Sequence, residues 1–171
     1  MAKTKILYTL PNVTTAGSGR EMINIVERLD KSLFEPTVCI QKEGGSLAQE
    51  LIRKGYTVMV SPFNAEGKNK ANALFVIIKL GLHFRRYGFR LWHSFHWSSD
   101  FTEALVARLA GATFLYTKKN MNWSRRAWKV KTRLAHWVIA RNTSMLQRFF
   151  DSGSFRRKVT FIPGEIGRAH V

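Results

Sequence analysis

The chain has 171 residues and carries 28 lysines and arginines against 11 aspartates and glutamates, a formal net charge of +17. With 45% hydrophobic and 23% charged residues it has globular composition, which excludes a disordered tail or a collagen-like fibre, and its length is that of one domain. The single cysteine, Cys39, excludes a disulfide framework and a cysteine zinc site, and the longest apolar run, Ala73 to Ile78, is far too short to span a bilayer.

In chain order, Lys5 to Leu10 reads as a buried strand ended by Pro11, and this apolar run is too short for a signal-peptide core, so a cytoplasmic location is expected. Gly17, Ser18 and Gly19 read as a flexible loop. Met22, Ile25, Val26 and Leu29 then recur at i, i+3, i+4, i+7, one face of a helix. Thr37 to Ile40 is a second strand. Ser46 with Gln49 resembles a capping box before Leu47, Leu51 and Ile52, with Gly55 as the helix stop and Thr57 to Val60 as the third strand. Asn72 to Tyr87 is a longer helix with Ala73, Ile77, Leu80, Phe84 and Tyr87 on one stripe. Its polar face (Lys79, His83, Arg86) is narrow, so most of its circumference is expected to be covered. Leu91 to Phe95 is a fourth strand. Asp100 with Glu103 resembles another capping box, before a helix stopped by Gly111. Thr113 to Tyr116, Trp137 to Ala140 and Val159 to Ile162 complete the strands, with a helix starting near Ser124. Strand and helix alternate over short connections, which predicts an α/β fold: one Rossmann-like parallel sheet with helices on both faces.

The charge is uneven. Through Glu103 there are 14 basic and 9 acidic residues, whereas Ala104 to Gly164 holds 13 basic residues and one acid, Asp151. Such a patch attracts nucleic acid, phosphorylated small molecules or an anionic membrane leaflet.

Ligands of open parallel sheets bind at the carboxyl ends of the strands, which singles out four segments. Thr14-Thr15-Ala16-Gly17-Ser18-Gly19-Arg20 allows close backbone approach before a helix N-terminus, where an anion is favoured, but it is neither a full dinucleotide fingerprint nor a P-loop; an ordinary turn is the alternative. His93 and His96 lie three apart, and on a strand such positions point to opposite faces, which places them poorly for a metal pair unless the strand ends between them; no metal is expected, and His96, Ser98 and Ser99 could line a cleft. Lys118, Lys119, Asn120 and Asn122 with Trp123 suit a phosphate and a ring, or a solvated basic loop. On the helix near Ser124, Arg126, Lys129, Arg133 and His136 form a basic stripe beside Ala127, Val130, Leu134 and Trp137, so this helix faces core on one side and anions on the other. No Ser-His-Asp order or paired catalytic carboxylates are visible; Asp100 and Glu103 read as helix caps.

Four stretches resemble the N-terminal domain of GT-B glycosyltransferases of the group 4 type. Ser18-Gly19-Arg20-Glu21, followed by Leu29 to Glu35 and Thr37-Val38, is similar to that family's Gly-Gly-x-Glu loop, helix and second strand, with Ser18 in place of the first Gly. Gly45 to Ala48 through Gly55 to Val58 resembles its second helix and third strand. His93 and His96 with Ala104 to Gly111 resemble its His-rich strand end and next helix, and Val138 to Ala140 with Val159 to Gly164 resemble the last strands and the interdomain hinge. The resemblance implies a retaining transferase moving a sugar from a nucleoside-diphosphate sugar to a saccharide or lipid-linked acceptor in cell-envelope polysaccharide synthesis. It assigns Gly17, Ser18, Gly19 and Arg20 to the donor-diphosphate and acceptor loop, and His93, His96, Ser98, Lys118, Lys119, Asn120 and Asn142 to the acceptor cleft. The family often carries a His soon after the fifth strand; here Lys119 stands near that place, and His96 and Lys119 are the catalytic candidates. Asn142 stands where a Ser is common.

Glu165 to Val171 is similar to the in-frame translation of a short-read library adapter. The expectation is therefore a domain of residues 1–164 followed by a non-native tail at 165–171. Without a donor-binding C-terminal domain the fragment is expected to be inactive and to bind no cofactor itself, its partners being that missing domain, the acceptor and an anionic membrane surface. The alternatives are a basic nucleic-acid-binding module, suggested by Trp123, Trp128 and Trp137 among basic residues but lacking any nucleic-acid signature, and a non-catalytic partner subunit.

Overall fold

The computed structural model describes residues 2–12, 16–123, 126–151 and 153–163. Thr14, Thr15 and Ser124 of the segments above, the end of the hinge motif at Gly164 and the tail 165–171 lie outside the described residues.

The described chain runs β1 (Thr4–Leu10), α1 (Ala16–Arg28), β2 (Phe34–Ile40), α2 (Ser46–Arg53), β3 (Thr57–Val60), α3 (Lys70–Arg85), β4 (Leu91–Ser94), α4 (Thr102–Leu109), β5 (Thr113–Lys118), α5 (Arg126–Leu134), β6 (Trp137–Ala140), α6 (Thr143–Phe149), α7 (Gly153–Arg156) and β7 (Val159–Phe161). The strands form one sheet in the order β3-β2-β1-β4-β5-β6-β7, parallel at every pairing. From β1 the chain builds outward through β2 to β3, then returns across the sheet to lay β4 on the other side of β1. Right-handed crossovers in opposite directions must use opposite faces, so α1 and α2 cover one face and α3 to α6 the other.

The alternation of side chains along β1 shows both layers at once. Ile6, Tyr8 and Leu10 pack with Met22, Ile23 and Val26 of α1 and Leu47, Ala48 and Leu51 of α2. Leu7 points the other way, into a larger cluster holding Ile77, Leu80 and Phe84 of α3, Val106 of α4, Trp128 of α5 and Met145 and Phe149 of α6. The predicted Rossmann-like sheet is therefore the observed one.

Local signals fared unevenly. Gly55 and Gly111 end α2 and α4 in the left-handed region, at φ 79° and 81°, where a side chain would be strained. The capping box read from Ser46 and Gln49 is absent: Gly45 is the N-cap, and no side chain caps the helix. The box read from Asp100 and Glu103 is absent too: Phe101 is the N-cap of α4 and no side chain caps it, Asp100 Oδ1 accepts from the Thr102 amide at 3.0 Å from one residue ahead of that position, and Glu103 turns into the interior. Gly17, Ser18 and Gly19 are helical, within the first turn of α1, where a loop was expected. Among the stripe residues of α3, Ile77, Leu80 and Phe84 are buried, but Tyr87 is exposed, as are Leu74, Phe75, Ile78 and Leu82, so the expected cover over most of this helix is missing. The inward face of α5 is Trp128, Lys131 and Thr132; Trp137 lies on β6 and is half exposed.

Helices α3 and α4 cross closely because Gly81 has no side chain: a Cβ built there would lie 2.5 Å from the Cβ of Leu109. Gly81→Ala is expected to destabilise the chain by about 1–3 kcal/mol, although alanine is the better helix former by about 1 kcal/mol. Gly17→Ala, in open space, should be neutral or stabilising. Urea midpoints of the two variants test this; equal midpoints would refute the close-approach role.

Candidate active site

The strand order reverses between β1 and β4, so their carboxyl ends open a crevice. Two clusters of polar side chains meet it, one on each face of the sheet.

On the α1 face, His93 is buried between Tyr8 and Phe95, with ring centroids at 5.5 and 4.4 Å, and its Nε2 lies 2.8 Å from the Thr117 hydroxyl. Burial, reinforced by the cations of Lys119 and Arg141, lowers its pKa to about 3 and holds the ring neutral. Beside it Glu21, in the first turns of α1, joins two cations from neighbouring strand ends: Lys119 at 3.1 Å and Arg141 at 2.9 Å. The Lys119 ammonium also sits 4.6 Å from the centre of the Phe95 ring, and burial pushes its pKa down against the pull of Glu21. Two cations share one carboxylate at the first turns of a helix whose amides already favour anions, so this corner keeps an excess of positive potential. Arg141 was missed by the sequence reading; its one available signal is a cation immediately after the carboxyl end of a strand.

On the other face, Glu103 is fully buried and accepts hydrogen bonds from the Thr9 hydroxyl at 2.5 Å, Trp92 Nε1 at 3.0 Å and the Ser94 hydroxyl at 2.7 Å. Burial raises its pKa, against the Lys131 cation and these hydrogen bonds. His96 stands over it, with Nδ1 3.8 Å from Glu103 and Nε2 3.4 Å from Glu66, and burial followed by Lys131 lowers its pKa to about 3. Ser98 donates its hydroxyl to Glu66, and its carbonyl accepts from the buried Lys131 at 3.1 Å. Glu66, Trp97, Ser98, Ser99, Asn120, Asn122 and Trp128 line a pocket of about 290 Å³. Its mix of the exposed Trp97 indole, carboxamides and a carboxylate suits a polyhydroxylated ring.

The remaining candidates are dispersed. His93 and His96 face different clusters, although β4 ends at Ser94, between them, so the two-residue strand period does not itself set this. Lys118 lies behind the pocket lining: fully buried, it donates to the Asn120 carbonyl and side chain and to the Asn122 carbonyl, and its ammonium lies 3.7 Å from the Trp128 ring centre. Burial lowers its pKa to about 7. Its geometry is that of a strut for the loop after β5. Asn120 Nδ2 donates to the Trp97 carbonyl at 2.9 Å, tying that loop to the one after β4. Asn142 caps α6, its Oδ1 accepting from the Met145 amide at 2.8 Å. Arg20 is drawn to the surface of α2, where it pairs with Glu50 at 3.0 Å, away from Lys119 and Arg141. Arg126, Lys129 and Arg133 are exposed on α5, and the last two line a groove with Trp123, Arg148 and Asp151. Trp128 is buried and Trp123 stacks on Phe149 at 5.1 Å, so these indoles pack against the protein and form no open platform for bases.

A family model described as Glycosyltransferase Family 4 matches residues 15–165. No curated protein matches the chain. Among solved structures, a glycosyltransferase from Rickettsia africae superposes with a TM-score of 0.72 at 19% identity, covering 95% of this chain and 43% of that one. Anabaena Alr3699/HepE, solved with UDP and glucose, gives 0.70 at 15% identity, with 94% and 44% covered. MurG from Acinetobacter baumannii gives 0.66 at 12% identity, with 95% and 45% covered. The chain thus spans less than half the length of each of these structures, and it shares their fold over nearly all of its own. No described helix is long and apolar enough to cross a membrane.

Proposed function

The chain belongs to glycosyltransferase family 4, and from that premise we propose that it is the acceptor-binding half of a retaining enzyme that moves a sugar from a nucleoside-diphosphate sugar to a saccharide or lipid-linked acceptor in cell-envelope polysaccharide synthesis, on the cytoplasmic side of the membrane. The observation that carries this reading is the pair Lys119 and Arg141, gathered by Glu21 at the first turns of α1 on the crevice edge.

Departure of a nucleoside diphosphate leaves negative charge that must be stabilised as it develops. Lys119, Arg141 and the α1 amides, including those of Gly17, Ser18 and Gly19, supply fixed positive charge at one point, and Glu21 orients both side chains beforehand. A diphosphate approaching from a second domain would compete with Glu21 for them. The pocket around Glu66, Trp97, Ser98 and Asn120 takes the acceptor, and His96, buried behind that lining, holds a neutral imidazole against the Glu66 carboxylate. The donor half of the cleft is contributed by a further domain, so the isolated chain is expected to transfer no sugar.

Reading the source locus past the codon for Gly164 tests the premise of a second domain: the frame is expected to continue into another α/β unit, and a stop after Val171 would overturn the transferase reading of this chain. In the protein so defined, Lys119→Ala combined with Arg141→Ala is expected to lower kcat/KM by about 100-fold or more. Arg20→Ala should change it little, because that guanidinium is committed to Glu50. Equal effects of the two changes would remove the assignment of the cationic pair.

A further inference from the structure

Among the described residues, nothing covers an apolar stripe on the outer side of α3. Leu74, Phe75, Ile78 and Leu82 are 61, 69, 46 and 56% exposed and fall within a sector of about 100° on the helix. Cations border it: Lys70 on one side, Lys79 and Arg86 on the other, and Arg85 at the C-terminal end, all exposed. Residues 67–99 contain no aspartate or glutamate, but six lysines and arginines.

We propose that this face of α3 docks on an anionic lipid bilayer. An apolar stripe a few residues wide, too short and too one-sided to span, buries its side chains at the boundary of headgroups and acyl chains, while long basic side chains on its margins reach the phosphates. Charge decides among the possible occupants. A second copy would bring two cationic rims together on chains of +17 each. A bilayer rich in acidic phospholipid offers an apolar interior and a negative surface in the required order. The exposed cations Arg108 of α4 and Lys129 and Arg133 of α5 belong to the same helix layer and extend the attraction beyond α3.

The placement also bears on the pocket. Helix α3 runs antiparallel to the strands it joins, so its Lys70 end lies at the carboxyl edge of the sheet, just after Glu66 of the acceptor pocket. A lipid-linked acceptor lying in the docked leaflet would meet that pocket at its rim. The docking surface itself stands apart from the transferase reading; only this delivery of acceptor rests on it.

The test is co-sedimentation of the 171-residue chain with phosphatidylcholine vesicles, with and without phosphatidylglycerol. Binding is expected only with phosphatidylglycerol, weakening with salt. Phe75→Ser, Ile78→Ser and Leu82→Ser together should reduce it by about 100-fold with unchanged thermal melting, since all three side chains are exposed. Lys79→Ala, Arg85→Ala and Arg86→Ala should each reduce it by about five-fold and flatten the salt dependence. A polarity-sensitive dye on Phe75→Cys, which reacts alone because Cys39 is buried, should shift to the blue on the same vesicles. Wild-type binding retained by the serine variant overturns the proposal, as does binding lost only when Arg126, Lys129 and Arg133 are replaced. Self-association of the wild type that the serine variant abolishes would assign the stripe to a second copy instead. None of these readouts involves sugar transfer, so docking and transfer succeed or fail separately.

Discussion

Glu103→Leu is expected to destabilise the chain by about 3–5 kcal/mol, close to the whole stability of a small domain. The residue lies at 0% exposure where β1, β4 and α4 meet, and its two oxygens take hydrogen bonds from Thr9, Trp92 and Ser94. Leucine fills the volume but leaves two hydroxyls and an indole N–H without an acceptor, each at a desolvation cost of about 1–3 kcal/mol. It also leaves the fully buried Lys131, whose charge Glu103 helps to sustain, with fewer compensating charges. Glu103→Gln separates shape from charge. Its carbonyl oxygen can keep Thr9 and Trp92, and its amide can donate to Ser94, so a loss of only about 1 kcal/mol is expected. Urea denaturation of the three proteins measures both differences. A leucine variant within 1 kcal/mol of wild type would mean that the network is not what holds the two strands to α4.

Glu103 also shows where reading the chain as a line of residues stops working. Asp100 and Glu103 have the spacing of a capping box, yet Phe101 is the N-cap of α4 and Asp100 bonds only the Thr102 amide from one residue ahead of it. Nothing local reveals that the second carboxylate turns inward, because its partners come from strands β1 and β4. The same holds for Arg141, whose partner Glu21 lies on α1, far away in sequence. Strands were legible because buried parallel strands are continuous β-branched and aromatic runs bounded by glycine and proline, and their alternation with helices leaves few topologies. The short helices α6 and α7 carry too few turns for a period to show, and they were not anticipated. Gly17 and Gly19 were read as loop because glycine is a poor helix former, yet a first helical turn tolerates it. On α3 the periodicity correctly picked out Ile77, Leu80 and Phe84 as core. Apolar residues on its remaining circumference were assumed covered, and hydrophobicity alone cannot say whether anything lies over them.

Acidification from pH 7 to pH 5 is expected to remove about 4 kcal/mol of stability through His93 and His96 alone. Both rings have native pKa values lowered from 6.5 to about 3, in each case chiefly by burial. The unfolded chain therefore takes up a proton at each ring as the pH passes through 6.5, while the native state does not. The stabilisation is complete above 6.5 and is lost progressively down to about 3; over the stated window it amounts to about 2 kcal/mol per ring. His93 is shifted by the cations Lys119 and Arg141, which Glu21 joins beside it, with the Thr117 hydroxyl on its Nε2. His96 faces Glu66, which is half exposed and screened by water, Lys131, and Glu103, whose own raised pKa reduces the negative charge it presents. Glu103 works in the opposite sense to the histidines, since burial raises its pKa and the native state binds its proton before the unfolded chain does. The Glu103→Gln variant lacks that compensation, so its stability should fall more steeply with acid than that of the wild type. Urea midpoints between pH 7 and pH 5 read the slope, and the ring-proton resonances of the two histidines read its source. Rings that titrate near 6.5 in the folded protein, or a slope that is no steeper in the glutamine variant, would show that these buried groups do not govern the acid limit of the fold.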